Sequence, residues 1–355
     1  MPRRALAVLA TTLLLVAACS KSGTSSSGPC DQVVPNASVC GTGGTPPAPA
    51  VELKVGLGYI PSVQFAPFYY AEQQGYYRDA GLNVTFENKI DPDLVTLVGQ
   101  GALDLGVADG TSVIPAVSQG IPIRYIATIY GTFPSIVFAK ESSGIKTAAD
   151  LKGKKIGIPG KYGSSWIMLQ ALLDSAGLKP ADATIIEYPD FGQGTAVLAG
   201  AVDAATGFAN NEPVQLELSG SKAVVLHVDS VVALPGPGLI AGTGTALGPK
   251  RDAVAAFVGA TLRAMTEIAA QPSLGLDAAI KAVPELGKDT ATRATQQAIL
   301  AATIATWSSP DGGGSFGTID EQGWKDSLAY LTKLGLVPNP VTVDQLIQRD
   351  LMPQG

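Results

Sequence analysis

Hydrophobic and polar positions alternate in short runs from about residue 50 onward, and these runs predict strands separated by helices. Strands are predicted at 53–57, 83–86, 103–108 and 124–129, with helices at 67–74, 93–99 and 112–119. Strands that alternate with short helices are typical of βα units, which build a mainly parallel sheet.

The same succession starts again after Lys140. Strands are predicted at 155–159, 185–188, 204–208 and 223–227, with a helix at 165–176 that Gly177 ends. From Lys250 onward the pattern is helical and includes a long amphipathic run at 252–270. The sequence therefore predicts two α/β units followed by a helical C-terminal tail.

The first fifty residues have a different character. Arg3 and Arg4 precede an apolar stretch at 5–18, which ends in small residues. This stretch is shorter than the roughly 20 residues that span a bilayer, and it has the pattern of a secretory signal peptide. A buried core helix is the alternative, but no amphipathic period is visible. Residues 20–50 are rich in Ser, Gly, Pro and Thr, the composition of a flexible tether.

Composition and charge narrow the possible functions. The chain is 46% hydrophobic and 15% charged, which excludes a disordered protein. A net charge of −6 without a basic cluster argues against nucleic acid as a partner. One histidine and three cysteines leave little material for a His/Cys metal site or a Ser-His-Asp triad. These counts disfavour most catalytic classes, and our expectation is a protein that is not an enzyme and that holds no metal or cofactor.

Several motifs carry a resemblance to a known family. They are YIP at 59–61, FAPFY at 65–69, GYYRDAGL at 75–82, GQGALD at 99–104, DLKGKKIG at 150–157 and NNEP at 210–213. With these motifs the chain resembles the type II solute-binding proteins of ABC importers over residues 52 to 350. The branch concerned handles thiamin pyrimidine precursors, riboflavin, sulfonates and nitrate.

The resemblance implies a two-lobed periplasmic-binding-protein fold, each lobe a mainly parallel sheet flanked by helices. Residues 52–139 and 237–355 would form lobe I, and residues 140–236 would form lobe II. The crossovers between the lobes are expected near 137–140 and 229–236. The implied partners are a small-molecule ligand and the permease and ATPase subunits of an importer, and we expect the receptor to be a monomer.

The N-terminal segment also resembles that of a lipoprotein. VAAC at 16–19 is similar to a bacterial lipobox, which implies a signal peptide at 1–18 and a lipidated, palmitate-bearing Cys19 ahead of a tether at 19–50. The protein would then be anchored on the extracytoplasmic face of the cell membrane. Cys30 and Cys40 are the remaining cysteines; outside the cytoplasm they form a disulfide or stay as idle thiols.

Candidate ligand-binding residues lie where predicted strands lead into helices, since ligands of open α/β sheets bind outside the carboxyl ends of the strands. Phe65 either offers a flat apolar face or packs its loop onto the core. Asp109 either accepts a hydrogen bond from a ligand or caps the helix that follows. Tyr130 and Phe133, beside the first crossover, are candidates for the cleft wall.

Two further segments belong to lobe II. Ser164 and Ser165 open a helix whose amides favour an anion, while Tyr162 and Trp166 are suited to stacking on a heteroaromatic ring. Trp166 can instead face the core side of its helix.

Asn211 and Glu212 can accept hydrogen bonds from a donor-rich neutral or cationic ligand. Because Pro213 follows them, either residue can also cap a helix. The ligand-binding and capping roles remain open at both positions.

Three functions remain open from the sequence. The first is a lipid-anchored receptor for a flat heteroaromatic nutrient, either riboflavin or a thiamin pyrimidine; residues 159–165 look closer to the riboflavin-binding members. The second is a receptor for an oxyanion such as an alkanesulfonate or nitrate. It is less favoured because only Lys161 brings positive charge to these segments. The third is an enzyme that resembles pyrimidine synthases. It is disfavoured because every cysteine lies before the folded region.

Overall fold

The computed structural model describes residues 49–89, 93–229, 231–246, 248–308 and 315–352. The signal peptide, the lipidation site at Cys19 and the Cys30–Cys40 pair predicted from the sequence lie outside the described residues.

Within the described ranges, ten strands form two five-stranded sheets. The first sheet has the order β2-β1-β3-β10-β4, with β1 Val51–Leu57, β2 Leu82–Asn88, β3 Leu105–Ala108, β4 Ile123–Thr128 and β10 Gly238–Gly242. The second sheet has the order β7-β6-β8-β5-β9, with β5 Ser135–Lys140, β6 Lys155–Ile158, β7 Thr184–Glu187, β8 Ala204–Phe208 and β9 Ala223–His227.

Helices flank both sheets and make up most of the C-terminal region. Those before β10 are α1 Ala66–Gln73, α2 Tyr76–Asp79, α3 Asp93–Gly99, α4 Gly110–Ser118, α5 Gly163–Ser175, α6 Gln193–Ala199 and α7 Glu212–Leu218. Those after it are α8 Thr243–Ala246, α9 Arg251–Ala270, α10 Pro272–Ala282, α11 Thr290–Trp307, α12 Glu321–Lys333 and α13 Val343–Leu346. The predicted α/β class and the helical C-terminal region are confirmed.

Each sheet has four strands that run in one direction and one strand that runs against them. In the first sheet β1 is parallel to β2 and β3, whereas β10 is antiparallel to both of its neighbours. In the second sheet β6 is parallel to β7 and β8, whereas β5 is antiparallel to β8 and β9. The antiparallel strand in each sheet, β10 in the first and β5 in the second, is the first strand that the chain forms after it crosses from the other sheet.

In the part of the chain that the structure describes, two passages connect the sheets, at 129–134 and at 228–237. The two passages lie side by side, because the backbone N–H groups of Ile129 and Tyr130 both donate to the carbonyl of Pro237, at 3.2 and 2.8 Å. Gly236 has no room for a Cβ atom next to the Tyr130 carbonyl. The two connections between the sheets are therefore hydrogen-bonded to each other.

The position of β5 corrects the boundary that was expected at residue 139. Ser135–Lys140 pairs along its whole length with β8 and β9, so residues 135–139 belong to the second sheet. The first passage accordingly lies at 129–134 and not near 137–140. The run SIVFAK is apolar throughout, and only pairing with distant strands decides which sheet receives it.

The C-terminal helices cover the first sheet. Phe257 on α9 stacks on Tyr77 at 4.8 Å between ring centroids, within a core that also includes β1, α1 and α11. Trp324 on α12 packs edge to face on Tyr125 of β4 at 4.9 Å. Among the described residues, α9 is the one helix long and apolar enough to cross a membrane, and half of that stretch is buried in the protein.

Candidate functional site

A cavity lies between the carboxyl ends of the strands of the two sheets. Its lining residues lie in the last positions of β3 and β8 and in the segments after β1, β3, β6, β7 and β8, together with one residue from each passage between the sheets. They are Gly58, Tyr59, Gln64, Phe65, Val107, Ala108, Asp109, Tyr130, Pro159, Tyr162, Gly163, Ser164, Ser165, Phe191, Gln193, Gly207, Phe208, Asn211, Glu212 and Pro237. Eight of the ten residues singled out from the sequence are among them.

Phe65 contacts both the cavity and the core. Ser62 begins a short 3-10 turn at Val63–Phe65, and its hydroxyl accepts a hydrogen bond from the amide of Gln64 at 3.3 Å. Phe65 then begins α1, with Pro67 in the first turn, where a missing N–H costs nothing. Its ring lies 6.3 Å from the ring of Phe68 and also lines the cavity. Phe65 therefore packs on the core and also borders the cavity, while its contact with a ligand stays a prediction.

Asp109 caps α4 and lines the cavity at the same time. Its Oδ1 atom accepts hydrogen bonds from the amides of Thr111 at 2.9 Å and Ser112 at 3.2 Å. Burial raises the pKa of this carboxyl, while hydrogen bonds from Thr111 and Ser112 and the hydroxyl of Ser164 oppose the rise. Ser164 follows β6, so its hydroxyl lies near Asp109 from the other side of the cavity.

The first turn of α5 forms another part of the wall. Gly163 begins this 13-residue helix with a φ of 59°, and Tyr162 occupies the N-cap position without a capping side-chain hydrogen bond. Ser164 and Ser165 line the cavity here. Lys161, the one basic residue of this segment, pairs with Glu187 at 3.8 Å on the exposed surface and is not among the lining residues.

Glu212 is held at the cavity by the end of β8. Its Oε2 atom accepts a hydrogen bond from the backbone N–H of Phe208 at 2.8 Å. A Cβ atom on Gly207 would come within 2.7 Å of the same oxygen, so only glycine leaves room for the carboxylate. Burial is the main cause that raises the pKa of Glu212 to about 7. The carboxyl can therefore gain or lose a proton near neutral pH.

Asn211 occupies the N-cap position of α7, but its side chain makes no capping hydrogen bond there. Its Oδ1 atom instead accepts a hydrogen bond from the side chain of Gln215 at 2.8 Å. The side chain of Asn211 also interacts with the hydroxyl of Tyr59, which burial and the nearby Glu212 keep protonated by raising its pKa. Asn211 and Glu212 thus face a residue that follows β1, on the opposite side of the cavity.

Phe133, a candidate for the cleft wall, and Trp166, for which a core-facing position was the alternative to stacking, are not among the residues that line the cavity. Trp166 is half-buried and packs against the core of the second sheet, because it shares a helix face with Leu169 and Leu173. Phe133 is buried in the same core. It lies two residues before β5, so its position is set by the second sheet.

Several lining residues were missed by the sequence analysis. Tyr59 and Gln64 lie between the predicted strand at 53–57 and the predicted helix at 67–74, and Phe208 ends the predicted strand at 204–208, so the rule that ligands meet strand ends could have found all three. Phe191 and Gln193 follow β7 in a stretch whose helix, α6, was not predicted. Residues 190–194 contain two glycines and no apolar repeat, so no periodic pattern marked them.

The side chains that line the cavity are rich in aromatic rings and include acidic but no basic groups among the described residues. Six of the lining residues are aromatic, namely Tyr59, Phe65, Tyr130, Tyr162, Phe191 and Phe208. Two are carboxylic acids, Asp109 and Glu212, and none of the described lining residues is Lys, Arg, His or Cys. Within the part of the chain that the structure describes, no three His, Cys, Asp or Glu side chains are grouped to hold a metal ion. The aromatic side chains of the lining can stack on a flat ring, and its two carboxyl groups can accept hydrogen bonds from that ring.

Comparison with known proteins agrees with this architecture. The chain is 31% identical over 308 residues to the riboflavin-binding protein RibY of Chloroflexus aurantiacus, covering 86% of this chain and 87% of that protein. It is 28% identical over 189 residues to the 4-amino-5-hydroxymethyl-2-methylpyrimidine phosphate synthase THI13 of Saccharomyces cerevisiae, covering 50% of this chain and 54% of that protein.

Solved structures share the fold. The alkanesulfonate-binding protein SsuA from Xanthomonas axonopodis pv. citri, bound to MOPS, superposes with a TM-score of 0.65 at 21% identity, covering 85% of this chain and 99% of that one. The two-lobed fold of solute-binding proteins is therefore present. A family model described as "NMT1/THI5 like" matches residues 62–274, and the chain belongs to the NMT1/THI5-like family.

Proposed function

We propose that this protein is the extracytoplasmic substrate-binding component of an ABC importer and that it captures riboflavin, or a flat heteroaromatic nutrient close to it, between its two sheets. One observation carries the proposal: the cavity combines six aromatic residues with two carboxylic acids and contains no basic side chain among its described lining residues.

The aromatic residues come from both sides of the cavity. Tyr59, Phe65 and Tyr130 are supplied by the first sheet and the first passage, and Tyr162, Phe191 and Phe208 by the second sheet. A flat heteroaromatic ring bound between them would be in contact with apolar faces on both sides. Stacking of a base on an aromatic side chain contributes about 1–3 kcal/mol in nucleic-acid complexes, and a flavin ring is larger than a base.

The two carboxylic acids favour a ligand with hydrogen-bond donors. A flavin offers a ring N–H and the hydroxyls of its ribityl chain, and both Asp109 and Glu212 can accept such hydrogen bonds. A hydrogen bond to a charged acceptor contributes more than one between neutral groups. The arrangement thus fits a neutral ligand that is rich in donors.

An oxyanion fits the same cavity poorly. The first turn of α5 is the natural place for an anion, but the Asp109 carboxyl already interacts there with Ser164. A sulfonate would lie close to Asp109 and Glu212, with Lys161 held away by Glu187. Repulsion between like charges in a partly dehydrated site would therefore oppose its binding.

Riboflavin is preferred to a thiamin pyrimidine because the relative named as a riboflavin-binding protein matches most of both chains, whereas the synthases match about half of each. An enzymatic role has less support, since neither Cys nor His is found among the described residues of the cavity wall. We further propose that lipidation of Cys19 anchors the protein to the membrane beside its permease and ATPase.

Titration calorimetry with three ligands tests the proposal. Riboflavin should bind tightly and with one site per chain, 4-amino-5-hydroxymethyl-2-methylpyrimidine more weakly, and hexanesulfonate not measurably. Protein purified from its producing cells should also carry the yellow absorption of a flavin. Tight sulfonate binding that is lost in Ser164→Ala but unchanged in Glu212→Gln would replace the proposal with an oxyanion receptor.

A further inference from the structure

A buried hydrogen-bond network joins the two sheets beneath the cavity. The side-chain Nδ2 atom of Asn210 donates to the Oε1 atom of Gln64 at 3.0 Å and to the hydroxyl of Thr303 at 2.8 Å. Asn210 follows β8 in the second sheet, whereas Gln64 follows β1 and Thr303 lies on α11, which packs on the core of the first sheet. One amide group therefore reaches across to two acceptors on the opposite side.

The network is closed off from water. Asn210 is 1% exposed, Thr303 is 0% exposed and Gln64 is 6% exposed. A buried donor or acceptor that loses its partner without gaining water carries the full free-energy cost of its desolvation. Separation of these groups is therefore unfavourable unless water enters. The contact favours the arrangement in which the two sheets approach each other.

The orientation of the Asn210 amide follows from its neighbours. The Thr303 hydroxyl donates to the carbonyl of Ile299 at 2.7 Å, so it meets Asn210 as an acceptor. If the amide were turned over, the Oδ1 atom of Asn210 would face two oxygen atoms. In the present orientation that Oδ1 atom is buried and has no hydrogen-bond partner among the residues that the structure describes. The two hydrogen bonds that the Nδ2 atom donates offset the free-energy cost of burying this Oδ1 atom.

The network is also part of the cavity wall. Gln64 and Tyr130 line the cavity, and the hydroxyl of Tyr130 approaches the Oε1 atom of Gln64 at 3.4 Å. Asn210 directly precedes Asn211 and Glu212, which line the cavity from the other side. A shift of Asn210 would therefore move wall residues of both sheets together.

We propose that Asn210 is a positioning residue: its side-chain amide ties residues 209–211 to Gln64 and Thr303 and thereby holds the cavity closed around its solute. Asn210 acts through Gln64, Tyr130 and Glu212 and does not itself contact the ligand. This inference rests on the proposed function only for the choice of riboflavin as the probe.

Asn210→Ala in the full chain tests the inference. Because the contact forms only when the sheets approach, the variant should bind riboflavin about tenfold or more weakly. The loss should appear in a faster dissociation rate, with the association rate nearly unchanged, and stopped-flow flavin fluorescence separates the two. Small-angle scattering should give a larger radius of gyration for the variant than for the wild type at a riboflavin concentration that saturates the wild type.

Two further variants separate positioning from general stability. Thr303→Val keeps the shape of the side chain, removes one acceptor and should weaken binding in the same direction by a smaller factor. Asn339→Ala removes an asparagine whose side chain donates to the carbonyl of Ser118 at 2.8 Å within the first-sheet side of the molecule. It should leave both riboflavin affinity and the radius of gyration unchanged.

Each outcome decides the inference. Affinity, dissociation rate and radius of gyration equal to those of the wild type in Asn210→Ala would overturn it, and so would an equal loss of affinity in Asn339→Ala. If the wild type itself does not bind riboflavin, the proposed ligand is wrong and scattering without ligand decides instead. A larger radius of gyration for Asn210→Ala then supports the positioning role, and an equal radius overturns it.

Discussion

The ring of Tyr59, which follows β1, meets the ring of Phe191, which follows β7, edge to face at 5.0 Å with an interplanar angle of 88°. The contact joins the two sheets at the cavity, and both residues line it. Phe191 has a φ of 60°, the only positive value at a non-glycine position among the described residues. Such backbone strain in an aromatic residue is typical of functional sites, where the surrounding structure enforces it.

Replacement of Phe191 by Ala or Gly should separate the role of the ring from the cost of the backbone. Both variants lose the edge-to-face contact, which contributes about 0.5–1.5 kcal/mol, and should weaken riboflavin binding to a similar degree. Phe191→Gly should be about 1 kcal/mol more stable than Phe191→Ala, because glycine adopts a positive φ without strain. Urea unfolding and calorimetry measure the two effects. Equal stability of the variants would show that the strain is absent in solution.

Glu212 should make riboflavin binding depend on pH. Its carboxyl, with a pKa raised to about 7, accepts a ligand hydrogen bond best when ionised. The ionised fraction rises about tenfold between pH 6 and pH 8, so affinity should rise by about that factor. Glu212→Gln should flatten the profile. An affinity that falls with rising pH in the wild type would mean that the protonated carboxyl is the binding form.

The same residue should affect stability in the opposite direction. Because the pKa of Glu212 is higher in the folded than in the unfolded protein, the folded state binds more protons between pH 4.5 and about 7. Its contribution to the free energy of unfolding is therefore largest below pH 4.5 and is lost as pH rises through about 7. The loss should be about 1–3 kcal/mol, the lower end applying because the side chain is partly exposed. Urea unfolding of the wild type and Glu212→Gln at several pH values measures the difference.

Gly207→Ala should disable the site without unfolding the protein. The added Cβ atom would lie 2.7 Å from the Glu212 Oε2 atom and 3.0 Å from the ring of Phe138, so the carboxylate must move. Riboflavin affinity should fall about tenfold or more, the equivalent of one charged hydrogen bond. Gly194→Ala is the matched control, since its Cβ atom would make an ordinary contact of 3.4 Å with the Glu212 side chain. Weakened binding in the control alone would contradict this account of Gly207.

Trp166 and Tyr162 should give opposite results although they lie one helical turn apart. Trp166→Ala removes packing from the core of the second sheet and should lower the free energy of unfolding by about 2 kcal/mol, with little change in affinity. Tyr162→Ala removes a ring from the cavity wall and should weaken binding with little change in stability. A large affinity loss confined to Trp166→Ala would restore the stacking role expected from its sequence position.

Cys19→Ala should release the protein from membranes while its riboflavin affinity stays the same. Fractionation of producing cells and calorimetry of the released protein measure the two effects. Membrane retention of the variant would contradict the lipid anchor.

The sequence by itself determined the order of elements and the places where a ligand can meet them. Local periodicity sets whether a segment is a strand or a helix, so nearly all the predicted elements appear in the structure. The expectation that strand ends carry the site selected Asp109, Ser164 and Glu212, because ligands meet open sheets at their carboxyl edges. Asp109 caps α4 and lines the cavity, and its hydrogen bond to a ligand stays a prediction.

The tertiary structure alone decided which distant segments share a sheet or a wall. The five-residue strand β10 enters between β3 and β4, and β5 joins the second sheet, through pairing with strands far away in the sequence. The contacts from Tyr59 to Phe191 and from Asn210 to Thr303 likewise join residues more than ninety positions apart. Pairing and side-chain packing between such segments depend on their positions in space, which a local pattern of hydrophobic and polar residues does not contain.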